Sequence, residues 1–182
     1  MKIVLIGANG TIGELVQTAM AGAGHEIVKV GRKSGDFQVE IENRESVRKL
    51  YQAVGSFDAV AIAAGEVAFA PLSELTAEKW EFSLGSKLMG QISLVQEAIP
   101  FINERGSFTL VSGILNDDPI FAGVAASTVS GALEAGESHD AKRIRISICP
   151  VLHRHDSGRR MESWTSLQAR YLGRANRPRL QS

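Results

Sequence analysis

Apolar and polar positions alternate in blocks along most of the chain. KIVLI (residues 2–6) is an unbroken apolar run, the pattern of a strand buried on both faces. Ile12, Leu15, Val16, Ala19 and Met20 then recur at the spacing of one helical face. GAGHEIVKV brings a turn and a second strand that ends near Val30. After the polar loop GRKSGD, FQVEI reads as a short third strand. Asn43 stands where it can cap a helix whose apolar face is Val47, Leu50, Tyr51 and Val54. DAVAIAA (58–64) is the fourth strand, followed by one long helical stretch from about Thr76 to Ile99 that Pro100 stops. SFTLV (107–111) is the fifth strand, residues 122–135 form a helix of Ala, Gly, Ser and Thr, and RIRISIC (143–149) is the sixth strand.

Six short apolar strands separated by helices predict an α/β fold. Its form is a doubly wound, mainly parallel six-stranded sheet in three α/β/α layers, as a single domain over residues 1–150. Past Pro150 the rhythm fails: HRHDSGRR is polar and loop-like, and MESWTSLQARYLGRA predicts at most one weak helix. The 182 residues carry 20 Lys and Arg against 20 Asp and Glu, so no global field favours nucleic acid or a membrane surface. That balance hides a basic tail, since residues 151–182 hold seven Arg against only Asp156 and Glu162. It reads as a solvated end or an interaction arm. The lone Cys149 rules out an internal disulfide and suits a reducing compartment. No apolar run approaches the roughly 18 residues of a membrane span, so the expected location is cytoplasmic.

GANGTIG (7–13) joins the first strand to the first helix, and that context gives its three glycines a meaning. Gly7 permits the tight turn, Gly10 lets a phosphate approach the backbone, and Gly13 lets helix and sheet pack closely. A pyrophosphate would lie on the free N–H groups and the positive end of the helix starting near Thr11. Asn9 and Thr11 can brace the turn or donate to phosphate, and Ile12 completes it. The other reading is a tight turn that binds nothing. The second strand ends Gly31-Arg32-Lys33-Ser34, with no acid until Asp36. A carboxylate there would hold a ribose 2′-hydroxyl, whereas Arg32 and Lys33 suit the 2′-phosphate, with Ser34 offering a hydroxyl. NADP(H) is therefore expected over NAD(H), unless these are merely solvated turn residues.

Several landmarks in order resemble the short-chain dehydrogenase/reductase family over roughly residues 1–150. GANGTIG has the spacing of its extended and divergent branches. VEIENRESV resembles the segment that places Glu40 and Ile41 near adenine. DAVAIAAG resembles the fourth-strand D-x-x-V-N-N-A-G, keeping Ala64 and Gly65 with Ile62 and Ala63 for the two asparagines. SKLMGQISLVQEAIP carries Lys87 where the family has asparagine, FTLVSG delivers Ser112 near the active-site serine, and RIRISICP ends on the matching Pro150. The resemblance implies a Rossmann-like fold and hydride transfer between nicotinamide and a carbonyl or alcohol. It also implies a tyrosine acid/base, its pKa lowered by a lysine four residues on. This chain departs there, with Ala126 at the tyrosine position and Ser130 at the lysine position. Ser112, either a carbonyl-polarising or a capping hydroxyl, and Lys87, either near the nicotinamide ribose or along the surface, are the remaining catalytic candidates. His153 and His155 lack carboxylate or thiol partners at ligand spacing, so no metal is expected.

Two functions follow from different classes. One is an NADP(H)-dependent oxidoreductase acting on a small carbonyl or alcohol, of reduced or altered activity. The other is a non-catalytic NADP(H)-binding or redox-sensing module, favoured by the missing tyrosine and lysine. A sugar-nucleotide epimerase relative fits the glycine spacing but would want the tyrosine and a larger C-terminal lobe. In the resembling family the helices matching 76–99 and 122–135 form the dimer seam, which implies a homodimer or homotetramer.

Overall fold

The computed structural model describes residues 1–136, 138–139 and 145–151. Six parallel strands form the sheet: β1 (Lys2–Ile6), β2 (Glu26–Gly31), β3 (Phe37–Gln38), β4 (Phe57–Ile62), β5 (Ile102–Gly113) and β7 (Arg145–Val151). A two-residue strand, β6 (Ser138–His139), adds itself antiparallel to β7 at one edge. The order across the sheet is β3-β2-β1-β4-β5-β7-β6. The predicted doubly wound parallel sheet is thus present, with one short antiparallel strand beyond it.

The chain winds outward from β1 to β2 and β3, then returns across β1 to build β4 and β5. Where the winding reverses, the connections leave the carboxyl ends of β1 and β4 in opposite directions and open a crevice. Register fixes its floor, because Ile6 pairs with Val30 on one side and with Ile62 on the other.

Helices cover both faces. α1 (Thr11–Gly22) packs through Val16, Ile12 and Met20 on Leu5, Ala8 and Ile27. α2 (Arg44–Val54), α4 (Gly90–Ala98) and α5 (Val124–Glu134) share the larger cluster on the other face. There Val47, Leu50, Tyr51 and Val54 are all buried, and Asn43 caps α2 by accepting from the amides of Glu45 and Ser46. A single large apolar face with a polar back explains why this helix was legible from spacing alone.

Three elements differ most from expectation, beyond shifts of one or two residues at the ends of β4 and β7. The long helix over 76–99 is three pieces: α3 (Ala77–Ser83), a wide-turned π segment (Leu84–Met89) and α4. The third strand keeps only Phe37–Gln38 of FQVEI, because Val39 and Ile41 turn inward to the core as the chain heads for α2. β5 starts five residues early, at Ile102, where it pairs with Phe57 before a register shift, and it runs on to Gly113. The basic tail predicted from residue 151 lies, Val151 apart, outside the described residues.

Candidate nucleotide-binding site

The glycine turn lies at the mouth of the crevice. Gly7 takes a left-handed backbone (φ 80°), and its amide and that of Ala8 both donate to the Val30 carbonyl, at 2.8 and 3.2 Å. A side chain on Gly7 would overlap the Ala63 carbonyl, and one on Gly13 would overlap the Gly7 carbonyl. Both positions are closed by backbone, as close packing of strand, turn and helix demands. Gly10 differs: its backbone is extended (φ −87°, ψ 164°), and an added Cβ would meet only the Gly7 oxygen, at 3.4 Å. It is the N-cap of α1 and supplies no capping side chain. The first intrahelical bond runs from the Glu14 amide to the Gly10 carbonyl, so the amides of Thr11, Ile12 and Gly13 have no acceptor within the helix.

A cleft of about 440 Å³ opens against this turn. Of the residues predicted from sequence, Gly7, Asn9, Gly10, Arg32, Lys33, Ser34, Ile41, Ala64 and Gly65 line it. Thr11, Ile12, Gly13 and Glu40 do not: Thr11 and Glu40 are exposed, Ile12 packs on the α1 core, and Gly13 is buried. Ile6, Gly31, Val39, Ala63 and Glu66 join the wall without having been predicted. Asn9 Nδ2 donates to Ser34 Oγ at 2.7 Å, so the asparagine ties the glycine turn to the loop after β2. Arg32 lies between two carboxylates, 3.5 Å from Glu42 and 3.9 Å from Glu66.

Beyond Gly65 the wall passes to the π segment. A Cβ on Gly65 would stand 2.8 Å from the Lys87 Cα, so the glycine allows the two backbones to touch. The connection after β4 is pinned there by two serines: the Glu66 amide donates to Ser86 Oγ and the Ala68 amide to Ser83 Oγ. Lys87 is half-buried, and loss of solvent lowers the pKa of its ammonium.

The end of β5 is held by side chains. Gln91, fully buried, acts as a surrogate strand: its amide donates to the Val111 carbonyl and accepts from the Val111 N–H. Ser112 is buried at 1% exposure, and its Oγ donates to Glu134 Oε1 at 2.8 Å. Asn116 donates to the other carboxylate oxygen. Ser130 accepts from the Gly113 amide, and Ala126 is buried beside it on α5. Neither position leaves a titratable group where the resemblance puts tyrosine and lysine. Gln91, Glu134 and Asn116 were missed by sequence reading. Only Glu134, one helical turn past Ser130, had a signal in its spacing. Among the described residues no His, Cys, Asp and Glu cluster could hold a metal, and His153 and His155 lie outside them.

Strand order, switch point and glycine turn together define a Rossmann-type dinucleotide-binding fold. The chain belongs to the NAD dependent epimerase/dehydratase family, whose model matches residues 3–98. It is 40% identical to the protein lin1944 from Listeria innocua, covering 92% of this chain and 82% of that one at a TM-score of 0.82. A small-chain dehydrogenase solved in complex with NADPH shares the fold at 19% identity and a TM-score of 0.68, over 74% of this chain and 61% of that one. A short-chain dehydrogenase/reductase from Vibrio parahaemolyticus does so at 15% identity and 0.71, over 85% and 86%. The short-chain dehydrogenase/reductase resemblance read from the sequence therefore holds. Among curated proteins, an uncharacterized oxidoreductase of Staphylococcus aureus, MW2403, is 24% identical over 60% of this chain and 55% of its own length. YghA, an uncharacterized oxidoreductase of Escherichia coli, is 27% identical over 67% and 45%. The chain spans about half the length of these curated relatives. None of its described helices is long and apolar enough to cross a membrane.

Proposed function

We propose that the cleft binds a nicotinamide dinucleotide, NADP(H) in preference to NAD(H), and that the chain is an oxidoreductase of the short-chain dehydrogenase type. Its substrate class is a small carbonyl or alcohol. The observation that carries the reading is the uncapped start of α1 opening beside the cleft, with no side chain at Gly10 to fill it. The pyrophosphate would lie on the amides of Thr11 to Gly13, the adenine near Val39 and Ile41, and the 2′-phosphate near Arg32 and Lys33. Bound there, the nicotinamide supplies a hydride donor or acceptor. Lys87, beside Gly65 on the π segment, is the cation available to the ribose or to a developing oxyanion; such segments recur at functional sites. The free, buried Cys149 suits a cytoplasmic setting. Exposed Phe82, Leu84 and Met89 along α3 and the π segment favour self-association into a homodimer or homotetramer.

Gly10→Asp tests the cofactor claim. An aspartate at an N-cap is favourable to a helix, so the fold survives while its carboxylate takes the amides and repels phosphate. The expected result in an NADPH fluorescence titration is loss of binding with the melting temperature kept; unchanged affinity removes the claim. Arg32→Ala is expected to weaken NADPH about tenfold or more and NADH far less; equal losses remove the 2′-phosphate assignment.

A second reading, a binding module without turnover, has its own observation. Ala126 and Ser130 are buried at the family's acid/base positions, and Ser112 is turned onto Glu134. A carbonyl panel with NADPH oxidation followed optically separates the two. Tight binding with no turnover above the Gly10→Asp background selects the module.

A further inference from the structure

The guanidinium assigned above to the 2′-phosphate is already engaged. Arg32 Nη2 is 3.5 Å from Glu42 Oε1 and Nη1 is 3.9 Å from Glu66 Oε1. The three residues come from three connections, after β2, β3 and β4, and both Arg32 and Glu66 line the cleft. The side chains are 52%, 40% and 60% exposed, so these pairs add little to the stability of the fold. Their placement is what matters. A guanidinium offers five N–H donors in a planar fork, and a 2′-phosphate bound in bidentate fashion would draw on the same Nη groups that face these two carboxylates. The two carboxylates stand within ion-pair range of the Nη groups that a 2′-phosphate would use.

We propose that Glu42 and Glu66 are built-in competitors of the 2′-phosphate for Arg32, and so determine how strongly this site separates NADP(H) from NAD(H). The proposal rests on the dinucleotide reading above. A 2′-phosphate reaching Arg32 must displace the carboxylates or remain beside their like charge. A 2′-hydroxyl meets no such opposition and can donate to a carboxylate oxygen. The two cations after β2, Arg32 and Lys33, are matched in number by Glu42 and Glu66, which both stand beside Arg32. The basic end of β2 is thereby muted by acids from two other connections that the β2 sequence does not contain.

Calorimetric titration with NADPH and with NADH tests this on the wild type, Glu42→Gln, Glu66→Gln, the double variant and the double variant in an Arg32→Ala background. Both glutamates are exposed, and glutamine keeps their shape, so folding is checked by an unchanged melting temperature. The double variant is expected to raise the NADPH-to-NADH affinity ratio about three- to tenfold at low salt, and less at high salt. The gain should shrink when Arg32 is alanine. A ratio that is unchanged or falls, or a gain of the same size without Arg32, overturns the competition and leaves dinucleotide binding standing. A wild type that binds neither nucleotide overturns both.

Discussion

The turn after β1 and the end of β5 lie at the carboxyl edge of the same parallel sheet but are built from different materials; of the two, only the turn lines the cleft. The turn is backbone: Gly7 and Gly13 are closed by carbonyl oxygens, and Gly10 leaves amides open. The end of β5 is side chain: Gln91 completes the strand, Ser112 is held by Glu134, and Ser130 is held by the Gly113 amide. A site made of backbone amides depends on the path of the chain and on the absence of a side chain at its mouth. A site made of side chains can be rewritten one residue at a time with the fold intact. This chain keeps the first kind and has exchanged the second, so binding and chemistry must be argued separately.

The largest expected effect breaks the comparison within the turn itself. Gly13→Ala puts a methyl onto the Gly7 carbonyl and should cost about 3 kcal/mol, lowering the melting temperature by roughly 6–12 °C. Gly10→Asp, three residues away, should leave that temperature unchanged or raised while nucleotide binding is lost. If both variants unfold, or neither does, the division into a packing glycine and a binding glycine fails.

A smaller effect tests the end of β5. Glu134→Ala leaves the buried Ser112 hydroxyl without its acceptor and should cost about 1–3 kcal/mol in thermal or urea unfolding, with NADPH affinity unchanged. Adding Ser112→Ala removes the orphaned group, so the double variant should be less destabilised than the sum of the singles. Additive losses would show that the hydrogen bond is not what holds this corner. If Ser112 also serves catalysis, Ser112→Ala removes turnover on the carbonyl panel without moving cofactor affinity.

What the sequence disclosed followed the range of the interactions. β1, the glycine turn and α1 are contiguous, and their periodicity and spacing are local properties, so their placement was readable. Asn43 capping α2 was readable for the same reason. The π segment was not: its wide turn accommodates Lys87 against Gly65, a contact between residues 22 positions apart. Gln91 substituting for a strand beside Val111, and Glu134 meeting Ser112, depend on sheet register, which no local pattern encodes. Arg32 was legible as a basic end to β2, while the carboxylates beside it, Glu42 and Glu66, arrive from other connections. Cleft residues on the turn could therefore be named in advance, and the residues that modulate them could not.

The smallest effect concerns a group that neither region uses. Tyr51 lies wholly buried on α2 with its ring 5.3 Å from that of Phe57 and 6.3 Å from that of Phe101, and its hydroxyl has no hydrogen-bond partner among the described residues. Burial raises its pKa well above the usual phenol value of 10.0, and the phenol is too far from solvent to serve as the missing acid/base. Removing an unsatisfied hydroxyl loses no bond and relieves its desolvation, so Tyr51→Phe should leave stability unchanged or raise it by about 1 kcal/mol. The sign with pH follows. The folded phenol keeps its proton while the unfolded one ionises from about pH 10, so its contribution is intact below that pH and falls above it. Buried Cys149, pushed up to about 11 from 9.0, acts in the same direction. Lys87, lowered from 10.5 by burial, acts in the opposite one, its penalty fading as pH rises. Urea unfolding from pH 8 to 11 should therefore show a shallower alkaline loss in Tyr51→Phe than in the wild type. An equal loss in both would mean that the phenol ionises alike in the folded and unfolded chains, so that burial does not hold its proton, and would return Tyr51 to the residues able to exchange one.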